Sequence, residues 1–271
     1  MNMAVNASDF ATPVYDGPLP HALLPLRHRD RQPLRFDFAM AWRQFNLFRQ
    51  DIERTNVAFR IFEALPWIDI DQVAERFLAT AQGRALYASE PCLYEILDDR
   101  AMLRRHPAGS LAHDYCDFME REGLTAAGLV AETEIMRGDH TRIDDKVQWY
   151  VDRQRDVHDL VHVLTGYGRD ALGDQCVAAF IFGQRPSWGH IFIAYAGALV
   201  TRRQNATRAP VLRAVREAQR IGQHCPRIAE HAVRELLAMP TQAVREKFGI
   251  CAPQRYGEVH RVWRAAGIEP G

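Results

Sequence analysis

Within RDVHDLVHVLTGYGRDALGDQ, residues 155–175, His158 and His162 stand four apart, Asp159 follows the first, and Asp174 closes the stretch. On an α-helix, positions i and i+4 share a face, so both imidazoles can point at one ion. Asp159 can bend to that ion or hold a ligating imidazole from behind. Gly166 and Gly168 let the helix end and the chain turn. Gly173 permits close approach, and Asp174 begins the next helix, where its carboxylate can reach the same point. Two histidines with one or two carboxylates suit zinc, iron(II), cobalt or manganese better than calcium or magnesium. The plainer alternative is an amphipathic helix carrying histidines by chance, in a chain with 11 of them. HDLVH also looks like the HExxH of zinc proteases, whose glutamate is the general base. Aspartate is one methylene shorter, and the HxxGxxH continuation is missing, because three residues separate His162 from Gly166 rather than two.

The elements that must position these groups read as helices. Phe38, Trp42, Phe45, Phe48 and Ile52 recur every three or four residues as one apolar stripe. Asn56 to Leu65 continues helically until Pro66, and Asp71 is placed as the cap of a helix carrying Val73, Phe77 and Leu78. Ser110 opens a helix that Gly123 ends. Asp144 to Gly166 forms one helix or a pair, Asp170 to Phe182 the next, and Pro186 and Ser187 start an apolar helix to about Arg203. Pro210 opens another, followed by Pro226 to Met239, Thr241 to Phe248 and Pro253 to Ala266. Strand and hairpin signals are nearly absent. The expected fold is all-α: an extended, loose N-terminal arm over residues 1–36, rich in proline, and a single mostly helical domain over 37–271.

Composition narrows the function. Hydrophobic residues make up 47% of the 271, and the 34 basic residues balance the 34 acidic ones, which gives no argument for nucleic acid as a partner. No apolar run is long enough to span a bilayer, and the N-terminal stretch lacks the pattern of a signal peptide. Five dispersed cysteines without a CxxC pair read as buried reduced thiols.

The spacing HDxxH, eleven residues, then a carboxylate at Asp174 resembles the HDxxH-x11-E signature of the coenzyme Q (ubiquinone) biosynthesis protein 4 family. The flanks agree: Arg155 and Asp156 before the motif, and Leu172 and Gly173 before the carboxylate. ELLAMPTQAVREKFGI (Glu235 to Ile250) resembles that family's closing segment, so the likeness runs from about Asp37 to Ile250. Two departures stand out. Aspartate replaces glutamate at 174, shortening the reach, and the chain runs about twenty residues further, to Gly271, as expected of a divergent bacterial-type member.

The resemblance implies a divalent metal held by His158, Asp159, His162 and Asp174, with catalysis by the same residues. It implies work on a polyprenylated 4-hydroxybenzoate precursor of ubiquinone, with loss of the C1 carboxylate and placement of oxygen there. It further implies polyprenylated benzoate or quinone intermediates and other ubiquinone enzymes as partners, in a cytoplasmic protein peripheral to the inner face of the cell membrane. A homodimer is the assembly such proteins often form. A Lewis-acidic metal can stabilise the charge left on the ring, and a redox-active one can remove electrons, so metal identity decides between plain and oxidative decarboxylation. The alternative is a lipid-binding scaffold for the pathway's enzymes, with a structural metal. A prenyl tail needs apolar surface, and AAFIFGQRPSWGHIFIAYAGALV (Ala178 to Val200) is the greasiest segment. Phe180, Phe182, Ile191, Ile193 and Ala194 are expected to line a lipid tunnel or membrane-facing surface; otherwise they are ordinary core. Weaker candidates are the His113–Asp114 pair, His190, and Trp149, Tyr150, Arg153 and Arg155 ahead of the histidines.

Overall fold

Asp37 starts the first helix: its side chain accepts from the Met40 N–H at 2.7 Å, while its own N–H donates to the Ala64 carbonyl. The structure is a computed structural model, described over residues 21–50, 55–137 and 142–269. The helices run α1 (Phe38–Phe48), α2 (Thr55–Ala64), α3 (Ile70–Leu78), α4 (Ala81–Ser89), α5 (Leu93–Asp98), α6 (Arg100–Leu103), α7 (Leu111–Glu122) and α8 (Ala126–Arg137). They continue with α9 (Lys146–Asp156), α10 (His158–Thr165), α11 (Ala171–Gln184), α12 (Trp188–Gln204), α13 (Val211–His224), α14 (Val233–Ala238), α15 (Thr241–Phe248) and α16 (Gln254–Ala265). Among the described residues there is no strand, only an isolated bridge between Ser110 and Pro240. The fold is all-α, as the periodicity predicts.

The larger core gathers α7 and α10 to α16 around Tyr115, Leu160, Val177, Phe180 and Phe248. Within it α11 packs on both α12 and α13. A second cluster joins α3, α4 and the start of α9 through Val73, Phe77, Tyr87 and Tyr150. Beside it, Arg153 of α9 meets Glu90 at 2.7 Å with both side chains almost fully buried. The Glu90 carboxylate also accepts the N–H groups of Val233 and Arg234 at the start of α14.

Several expectations change. The stripe on α1 is not one buried face. Ala41 and Phe45 are buried, but Phe38 and Trp42 remain 59% and 57% exposed, and Ile52 lies outside the described residues. The helix turns inward where α2 and α12 meet it, and among the described residues no helix buries its other side. Asp71 does not cap α3. Asp69 holds the N-cap position, and Asp71 sits in the first turn, pairing with Arg27. Pro226 to Met239 is broken into a short 3-10 turn, Ile228–Glu230, and α14. The helices α4, α5, α6 and α8 carried no clear periodicity.

Residues 1–20 of the expected arm lie outside the described residues, but 21–36 is docked rather than loose. Arg31 grips the Asp145 carboxylate through Nε and Nη2 at 2.8 and 2.6 Å, and the His28 N–H donates to it at 2.9 Å. Asp145 also caps α9 by accepting from the Gln148 N–H. Of the cysteines, Cys116, Cys176 and Cys225 are buried as expected. Cys92 is half-buried and Cys251 exposed.

Candidate functional site

Helix α10 carries HDLVH and is almost wholly buried, as a strongly apolar eight-residue helix between α7, α11 and α15 must be. It ends at Gly166, whose φ of +76° is open to glycine at little strain. Its last carbonyls would be orphans, and Arg245 of α15 supplies them with donors: Nε to Leu164 O at 2.9 Å and Nη2 to Val163 O at 3.1 Å. The closing segment Glu235 to Ile250 contains Arg245, but nothing in its local spacing gives this arginine a role. The missed signal is a basic side chain on the helix that closes against α10.

The two imidazoles lie on one face, with ring centroids 4.9 Å apart at 66°. His162 stacks on Phe118 of α7, and its Nδ1 donates to the Tyr167 carbonyl at 3.1 Å. A carbonyl only accepts, so that bond places a proton on Nδ1 and aims Nε2 at the site. Nε2 is 3.4 Å from Asp174 Oδ1. Two ligand atoms about 2.1 Å from a tetrahedral ion lie about 3.4 Å apart, so this pair has the spacing of one coordination edge. His158 turns Nδ1 to Asp159 Oδ1 at 3.3 Å, which leaves its Nε2 as the free nitrogen and gives Asp159 an orienting role.

The electrostatics fit a cation's place. Burial works against protonated His162, but the hydrogen bond and charge of Asp174, helped by Asp159, raise its pKa above the ordinary value. Burial likewise opposes ionised Asp159, yet the hydrogen bond from His158 and the charges of His158, His162 and Arg169 hold its carboxyl below the usual range. A metal at this point would take the place of a proton on His162 Nε2. Among the described residues, no group of three His, Cys, Asp or Glu side chains already stands close enough to hold an ion. The set exists as adjoining pairs: His158 with Asp159, His158 with His162, and His162 with Asp174. The donor types and these pairs suit a divalent ion such as zinc or iron(II).

Asp174 faces outward onto a groove of about 50 Å³ between α1, α11 and α12, lined by Phe45, Phe48, Arg49, Gln175, Ile193 and Val200 among others. Of the five residues expected to meet lipid, Ile193 lines this groove. Phe180 and Ala194 are fully buried core, and Phe182 and Ile191 are half-buried outside it.

The weaker candidates are engaged elsewhere. His113 Nε2 bonds the Arg104 carbonyl. Trp149 donates to Glu90 O, Tyr150 to Glu230, and Arg153 to Ala229 O and His231 O. Arg155 pairs with Asp152 and Asp156. His190 is held by Ser187 and packed against Phe62 and Trp67; burial and the nearby charge of His158 push its pKa down to about 3, so it is neutral.

The model of the family described as Coenzyme Q (ubiquinone) biosynthesis protein Coq4 matches residues 51–254, and so includes all four motif residues. The chain belongs to the Coq4 family. Two curated relatives from Culex quinquefasciatus, ubiquinone biosynthesis protein COQ4 homologs 2 and 1, mitochondrial, are each 31% identical over 108 residues, 40% of this chain. Those matches span less than half of the relatives' own length, 45% and 38%. A crystal structure of a proposed ubiquinone biosynthesis protein from Nostoc punctiforme superposes with a TM-score of 0.54 at 17% identity, covering 80% of this chain and 100% of that one. At that identity the likeness bears on the Coq4 fold, and the chemistry rests on the site residues of this chain.

Proposed function

We propose that this Coq4-family chain is a metal-dependent decarboxylase of a polyprenylated 4-hydroxybenzoate, working at a membrane surface in ubiquinone biosynthesis. The observation that carries the reading is the 3.4 Å pairing of His162 Nε2 with Asp174 Oδ1 at the mouth of an apolar groove. His158, His162 and Asp174 would hold the ion, and Asp159 would fix the His158 ring. When bound, zinc would polarise the acid, and iron would also support oxidation by dioxygen. Phe118 and the Tyr167 carbonyl fix the His162 ring. Phe45, Phe48, Ile193 and Val200 offer the tail an apolar wall next to the head group. In the plain reaction the C1–carboxylate bond breaks, carbon dioxide leaves, and a proton takes its place. In the oxidative one the same bond breaks and carbon dioxide leaves, water supplies the hydroxyl placed at C1, and dioxygen takes the two electrons and two protons and leaves as hydrogen peroxide.

The groove is far smaller than the few hundred Å³ a drug-sized ligand fills. A polyprenyl tail therefore lies along the surface or parts α1 from α12. The surface beside it suits a membrane. Phe36, Phe38 and Trp188 cluster, with Phe36 5.7 Å from Phe38 and 6.0 Å from Trp188. Trp42 edges Phe192 at 6.4 Å. Phe38, Trp42 and Trp188 are each more than half exposed, and Arg35 and Arg43 flank them. Exposed aromatics beside arginines are the makeup of an interfacial anchor, and no helix among the described residues is long and apolar enough to cross a bilayer.

A second reading, a lipid-binding scaffold for the pathway's other enzymes, is favoured by the same patch and by ligating groups that stand only in pairs. Elemental analysis of the purified protein, with aerobic and anaerobic assays on the prenylated acid, separates the two. Carbon dioxide release by the native chain, lost in a folded His162→Ala variant, is the expected result. A folded, lipid-binding protein without turnover under either atmosphere supports the scaffold and sinks the enzyme.

A further inference from the structure

The family match ends at residue 254, where α16 begins, yet α16 holds the loop that delivers Asp174. Asp170 caps α11 by accepting from the N–H groups of Leu172 and Gly173 at 3.1 and 3.2 Å. Its second oxygen, Oδ2, accepts a short hydrogen bond from the hydroxyl of Tyr256 on α16. The same hydroxyl accepts the Gly168 N–H at 3.0 Å. His260, one turn further along α16, stands with Nε2 3.5 Å from Asp170 Oδ1 and packs its ring 4.2 Å from Tyr256. Tyr256 also packs edge-on against Tyr167, whose carbonyl fixes His162.

The loop is drawn in tightly. A Cβ on Gly173 would lie 1.9 Å from the Gly168 carbonyl oxygen, and a Cβ on Gly168 would lie 2.8 Å from the Tyr256 hydroxyl. The first turn of α11 is thus folded back against the turn that follows α10. An aspartate at 174 reaches one methylene less far than a glutamate, and with the backbone in this position its oxygen stands 3.4 Å from His162.

We infer that Tyr256 is a positioning residue, and that α16 acts through Asp170 and Gly168 as a latch that sets the reach of Asp174. The inference rests on the reading of His162 and Asp174 as metal ligands. It assigns a role to a helix outside the family match, and it links that helix to the aspartate at 174.

The test uses the full chain in four forms: wild type, Tyr256→Phe, Asp174→Glu, and the double variant. Amide hydrogen exchange is measured without metal, and cobalt(II) is titrated by its visible absorption. The latch predicts that Tyr256→Phe speeds exchange across residues 168–174 about tenfold, the size of one lost hydrogen bond, with α15 unchanged. It predicts cobalt binding about tenfold weaker with an altered spectrum. It also predicts that Asp174→Glu in the Tyr256→Phe background recovers most of the affinity, because a longer arm no longer needs the latch. Exchange across 168–174 identical to wild type overturns the latch whatever cobalt does. If exchange rises but even wild type binds no cobalt, the ligand reading fails, and with it the assigned purpose of the latch. If Tyr256→Phe raises exchange in every helix and the double variant recovers nothing, Tyr256 is a stability residue and the positioning role is overturned.

Discussion

His162 and Asp174 sit on different helices with eleven residues between them, yet Nε2 of one is 3.4 Å from Oδ1 of the other. The turn that makes this possible contains Gly166, which ends α10, and Gly168, against which Gly173 packs without room for a side chain.

Replacing His162 by alanine removes the nitrogen at the centre of the pairs. Affinity for zinc or cobalt, measured against a competing chelator, is expected to fall by at least about a hundredfold. Asp159→Asn keeps the shape but weakens the acceptor behind His158, and a loss of about 10–100-fold is expected. Equal affinity in wild type and His162→Ala would remove this imidazole from the ligand set.

Glu90 and Arg153 form a buried ion pair at 2.7 Å, with side-chain exposures of 2% and 1%. Removing one partner strands the other charge in the core, so Glu90→Ala should destabilise by about 3–5 kcal/mol in denaturant unfolding. It also strips the N–H groups of Val233 and Arg234 of their acceptor. Changing Arg153 to methionine as well is expected to recover part of the loss. A double variant no more stable than Glu90→Ala would mean that the stranded charge is not what carries the effect, leaving it to the helix cap and to the bonds Arg153 gives the Ala229 and His231 carbonyls.

Asp145 ties residues 21–36 to α9. Burial opposes its charge, but hydrogen bonds from Arg31 and from the His28 and Gln148 N–H groups outweigh it and hold the carboxyl below its ordinary value. A depressed folded-state pKa adds stability above the unfolded value, about 3.9, and that contribution fades as pH falls through the folded one. Asp145→Asn should therefore lower the melting temperature at pH 7 and narrow the gap to wild type below about pH 4. A gap that stays constant from pH 7 to pH 3 would show that this charge adds nothing.

Trp42 and Trp188 stand out from the surface by more than half their area. Their joint replacement by alanine should leave the fold intact and reduce sedimentation with anionic lipid vesicles several-fold, since each removes an interfacial aromatic. Undiminished binding would place the membrane contact on another face.

Some of this was written in local order along the chain. The 3.6-residue recurrence, the capping residues Ser110, Asp145 and Ser187, and the glycines at 123 and 166 fix most helices, because caps and periodicity act over one or two turns. The i, i+4 histidines share a face by helix geometry alone. Which side of α1 is covered was not legible, since periodicity marks an apolar face without naming what packs on it. Phe38 meets the ring of Phe36 and Trp42 that of Phe192, and both stay more than half exposed. Spacing marked Asp174 as a partner of the histidines, but it could not dock Arg31 on Asp145, or send Arg245 and Tyr256 to the ends of the motif. Those contacts join residues 81 to 114 positions apart. They depend on helices meeting in the core, which no stretch of chain specifies by itself.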